Sequence, residues 1–125
     1  MNSTSNLVRQ ELYHNKYHLD GRENLDEIPP AQAVFGVFGI VDEEPANCRY
    51  VGEAENLQAA IRGLYDNPPS AGMKKFLQGP WIPMLVFEPL PGASAAQREK
   101  AAGEWQSQYH PQIDEDGEYP GYYDS

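Results

Sequence analysis

The sequence predicts a small mixed α/β domain of the α+β kind, with a three-stranded, mainly antiparallel sheet flanked by helices. Three observations carry that expectation. Residues 33–41 form an apolar run of strand composition, three later segments repeat apolar residues at spacings of three and four, and Gly and Pro clusters separate these stretches. A chain of 125 residues can bury one core. Its 11 Gly and 11 Pro imply short elements joined by turns.

Residues 1–30 are polar and read as an N-terminal arm, partly helical, because Val8 and Leu12, and Tyr13 and Tyr17, stand one helical turn apart. Pro29-Pro30 closes the arm, so the compact domain is expected over 31–114. Within it, Ala33–Val41 is rich in β-branched and aromatic residues and apolar on both alternating faces, as in a central strand covered on both sides. Asp42 to Asn47 carries turn chemistry, and Cys48 to Gly52 reads as the second strand of a hairpin. Asn56 can cap a helix through Leu57, Ala60, Ile61 and Leu64 that Asn67-Pro68-Pro69 ends. Ser70 to Gln78 suits a second helix with Met73, Phe76 and Leu77 as its stripe. Trp81 to Phe87 is the third strand, and Pro83, which lacks an N–H, predicts a sheet edge or a bulge there. Ser94 and Gln97 form a capping-box pattern opening a last helix to Tyr109, with Ala101, Ala102, Trp105 and Tyr109 facing inward. Residues 115–125 read as an acidic, tyrosine-rich tail.

Charge narrows the function classes. Nineteen Asp and Glu against nine Lys and Arg give −10, a field that repels polyanions, so nucleic-acid binding is disfavoured. No apolar run approaches the length of a membrane span, no signal-type segment opens the chain, and a cytoplasmic setting is expected. The one cysteine, Cys48, has no His or Cys at metal-ligand spacing and is expected to be a buried small hydrophobe.

Gly36-Val37-Phe38 in the first strand and Tyr50-Val51-Gly52 in the second, followed by Asn56-Leu57 opening a helix and a late helix ending at His110-Pro111, resemble the signatures of the GIY-YIG nuclease superfamily. The resemblance spans about Val34 to Asp114. It implies a GIY-YIG-like fold in which tyrosines and an arginine position water and phosphate and a helix-borne glutamate holds a divalent ion. Carried over position by position, the first tyrosine falls on Phe38, the second on Tyr50, the arginine on Ala60, the glutamate on Ala102 and a late asparagine on Asp114. Only Tyr50 keeps the expected group. Glu99 and Glu104 lie near enough in sequence to leave open whether either replaces the glutamate. Neither would restore the arginine, and loss of one such charged group commonly costs several kcal/mol of transition-state stabilisation.

The resemblance therefore implies a catalytically degenerate member: a non-catalytic binding module, regulatory through contacts with another protein. The alternative is a divergent metal-dependent nuclease acting on nucleic acid. Candidate binding residues are Tyr50, Arg62, Lys74, Lys75 and the tail residues Tyr119, Tyr122 and Tyr123, with Arg49 a further contributor to a basic patch. The tail is open to two readings, recognition of a basic partner or cover for an apolar patch on the domain. His14 and His18 are one turn apart but lack a third ligand, so no metal site is expected. Trp81 and Trp105 lie in apolar-periodic stretches and read as core. No cofactor is implied, and oligomeric state is not legible.

Overall fold

The structure, a computed structural model, describes residues 7–18, 20–79 and 81–112. Its elements are β1 (Val8–Glu11), a 3-10 turn (Leu25–Glu27), β2 (Ala33–Val41), β3 (Glu44–Ala54), α1 (Leu57–Asp66), α2 (Ala71–Gln78), β4 (Met84–Pro89) and α3 (Ala95–Tyr109). The four strands form one antiparallel sheet in the order β1-β4-β2-β3. As the sequence predicts, β2 is central, and Ala33 to Gly39 are buried without a break.

Side chains alternate across the pleat and divide the core in two. Ala33, Phe35, Val37, Leu85 and Phe87 meet Leu57, Ile61 and Tyr65 of α1 and Met73 and Phe76 of α2. On the other face Val34, Phe38, Met84 and Val86 meet Ala102 and Trp105 of α3. The helices start where their caps direct. Asn56 accepts from the Ala59 N–H, Ser70 from the Met73 N–H, and Ser94 and Gln97 complete a reciprocal capping box.

Three differences from the expected layout matter. The arm is not an amphipathic helix: residues 8–11 are a fourth strand on β4, its described helical content is one 3-10 turn, and Leu12, Leu25 and Ile28 sit fully buried in the core. The third strand starts at Met84 rather than Trp81, just after Pro83, and β1 makes it an interior strand instead of an edge. Proline's missing donor is thereby kept out of the ladder, while the Pro83 carbonyl accepts from the Leu12 N–H. The hairpin turn is only Asp42-Glu43, both at positive φ as a two-residue turn of this hand requires, and Glu44 to Asn47 join β3.

The β2–β3 ladder is also irregular. Val37 pairs with Tyr50, Phe38 with Cys48 and Gly39 with Ala46, so Arg49 and Asn47 are extra residues bulged out of register. Asn47 takes the left-handed conformation such a site favours. A one-residue slip exchanges faces. Cys48 thus joins Phe38 on the α3 side, while the Arg49 guanidinium crosses to lie 4.7 Å from the ring centre of Phe76.

Candidate functional site

The bulge decides where the nuclease-like positions go. Tyr50 stands opposite Val37 on the α1/α2 face, half-buried, with its ring 6.1 Å from Phe35 and against Gly52, where a Cβ would meet both rings at 3.0–3.1 Å. Ala60 packs against the same cluster. Phe38, one residue on from Val37, points the other way. Its ring meets Tyr109 edge to face at 5.4 Å, within the buried cluster that holds Ala102 and Trp105. Tyr50 and Ala60 therefore share one face of the sheet and Phe38 and Ala102 the other, so Phe38, Tyr50 and Ala60 do not line one common cleft. Glu99 and Glu104 are exposed on α3. Asp114 lies outside the described residues, as do Tyr119, Tyr122 and Tyr123.

The basic residues are also redistributed. Arg62 is engaged by Asp26 and, at 3.7 Å, by Glu23, and Arg49 is buried over Phe76, so neither extends a patch with the lysines. Lys74 and Lys75 are exposed on α2, where they line a shallow recess of about 290 Å³ with Ala71, Gln78 and Gly79. Trp105 is core as expected, but Trp81 is 41% exposed. Its ring stacks on Phe76 with centres 6.3 Å apart and rests on Gly79, where a Cβ would come within 3.0 Å of the indole and 2.5 Å of the Lys75 carbonyl.

Two arrangements lie outside what the motifs suggest. Arg98 is buried on α3 and donates from Nε to Glu53 of β3 at 2.8 Å and from its guanidinium to the Ala93 carbonyl at 3.1 Å. The spacing Arg98, Ala102, Trp105 is a helical stripe, so the position, though not the partner, could be read from sequence. At the other end of the molecule the His14 ring packs 4.8 Å from Tyr65 and 4.9 Å from Tyr17, and its Nδ1 accepts from the Lys16 N–H at 3.1 Å. Burial lowers its pKa from the ordinary 6.5. His18 instead contacts Tyr13 and pairs with Asp20 at 3.3 Å.

Chemically, burial pushes the Cys48 thiol up to about 12, a direction that opposes thiolate formation. Among the described residues no group of three His, Cys, Asp or Glu converges as a metal site would, and no helix is long and apolar enough to cross a membrane. An open recess of about 530 Å³ beside the end of β4 and the start of α3 is bordered by Glu88, Leu90, Gln97 and Ala101, and among the described residues its lining includes none of Phe38, Tyr50, Ala60 and Ala102. No family model matches the chain, and neither a curated protein nor a solved structure matches it.

Proposed function

We propose that this chain is a GIY-YIG-like binding module without nuclease chemistry, acting through contacts with another protein in a cytoplasmic setting. The observation that carries the reading is the division of the nuclease-like positions between two faces of the sheet, with Phe38 and Ala102 buried together under α3. Phosphodiester hydrolysis needs water, metal and phosphate held within a few ångströms of one another. A layer of sheet separates Tyr50 from Ala102, and the side chains at Phe38, Ala60 and Ala102 supply neither a metal ligand nor a phosphate-binding charge. A strand hairpin followed by two helices, a strand and a last helix, with the Tyr50-Val51-Gly52 text, supports the family resemblance, while the net charge of −10 favours a protein partner over a polyanion.

The purified chain is expected to leave DNA and RNA intact in the presence of divalent metal. Nicking that co-elutes with the folded protein and disappears in Tyr50→Phe or Glu99→Ala would overturn the proposal.

A further inference from the structure

Resting on the reading of this chain as a protein-binding module, we propose that the C-terminal end of α2, with Lys74, Lys75 and the Trp81 indole, is a docking surface for an acidic peptide segment of the partner that carries an aromatic side chain. Among the described residues Arg9, Arg22, Arg62 and Arg98 are each committed to a carboxylate of this chain, and Arg49 is buried over Phe76. Lys74 and Lys75 enter no ion pair among the described residues, and they are adjacent, exposed and open onto one recess.

The aromatic element is built rather than incidental. Phe76 is 1% exposed, with the Arg49 guanidinium 4.7 Å from its ring centre and the Trp81 ring stacked on it at 6.3 Å. Gly79, which lines the lysine recess, leaves room for the indole to lie against the turn that ends α2. Trp81 is thus fixed on one side while 41% of its surface stays in solvent, and a ring held in place loses little conformational freedom on binding. Gly79 borders both the lysine recess and the indole, so a peptide whose ring stacks on Trp81 would carry its neighbouring carboxylates within reach of the lysines.

Charge favours a short acidic peptide over nucleic acid. Two lysines release few counterions from a polyanion, and a long phosphate backbone must also cross a surface whose net charge is −10. A peptide with a few carboxylates meets only the local patch, and such pairing sets specificity and encounter rate.

The test uses the full chain with its tryptophan indole N–H signals followed by NMR. The probes are a short synthetic peptide in which Asp and Glu flank two tyrosines, the same peptide with Asn and Gln in their place, and a single-stranded oligonucleotide. The acidic peptide is expected to shift the Trp81 signal and leave that of the buried Trp105 in place. Binding should weaken roughly tenfold or more in the Lys74→Gln, Lys75→Gln double variant and in Trp81→Ala. The two lysines are exposed, so their replacement leaves the fold intact, as an unchanged melting temperature checks. No Trp81 shift, a shift that survives the double lysine variant, or equal binding of the neutral peptide overturns the proposal. Tighter binding of the oligonucleotide through the same lysines does so too, and assigns the patch to nucleic acid. Failure here in a chain that cleaves no nucleic acid removes this surface alone, whereas cleavage removes the non-catalytic reading whatever the peptide does.

Discussion

The surroundings of His14 favour its neutral form: its ring lies against Tyr17 and Tyr65, and its Nδ1 can accept from the Lys16 N–H only when unprotonated. Burial is the main cause of its lowered pKa, Lys16 and Arg62 act in the same direction, and Glu23 and Asp66 oppose them. In the unfolded chain the ring returns to about 6.5 and takes up its proton first as pH falls. The contribution of His14 to stability is therefore full above pH 6.5 and lost as pH falls through the depressed folded value. Urea melts at neutral and mildly acidic pH should show wild type losing more stability than His14→Gln. Equal losses would contradict the assignment. Arg98 gives a second prediction at this scale. Arg98→Ala is expected to cost about 1–3 kcal/mol by leaving Glu53 and the Ala93 carbonyl short of a donor, measured by chemical denaturation. That Arg98 faces inward is legible from its stripe with Ala102 and Trp105. The inward turn of Arg49 is not, because it follows from a bulge whose partner residues are set by the ladder rather than by local sequence.

Elements with local signals were the readable ones. Asn56, Ser70 and the Ser94/Gln97 box mark helix starts by side-chain bonds to residues three along, and the central strand announces itself by being apolar on both faces. The β1 strand has no such signal. It is four residues long, the Val8–Leu12 spacing mimics a helical turn, and its reason to be extended is the ladder to residues 84–87, far along the chain. Pro83 misleads for the same reason, since its position just outside the ladder depends on where β1 pairs. Among the described residues, β1, Leu12, Leu25 and Ile28 are consequently part of the fold. Leu12→Ala, at a side chain 2% exposed, is expected to destabilise by about 2–5 kcal/mol in denaturant melts. A loss below about half a kcal/mol would mean that Leu12 adds little to the fold.

At the scale of the whole molecule, sequence text and three-dimensional arrangement part company. The residues that resemble nuclease signatures are legible one by one, as are Phe38, Ala60 and Ala102 at the positions that the resemblance assigns. Their separation onto two faces is not, because it depends on the register of β3 against β2. The charge balance, read directly from composition, yields its own expectation. Affinity for random-sequence duplex at physiological salt should be weak, and a submicromolar complex in a fluorescence titration would contradict the electrostatic argument. The most direct measurement is single-turnover cleavage, with the folded chain in excess over labelled single- and double-stranded DNA and RNA and with magnesium or manganese supplied. The expected result is substrate that stays intact over the full time course, in wild type and in Tyr50→Phe alike. Metal-dependent product that forms with wild type and is lost in Tyr50→Phe would mean that the chain assembles a working nuclease site, and would contradict it.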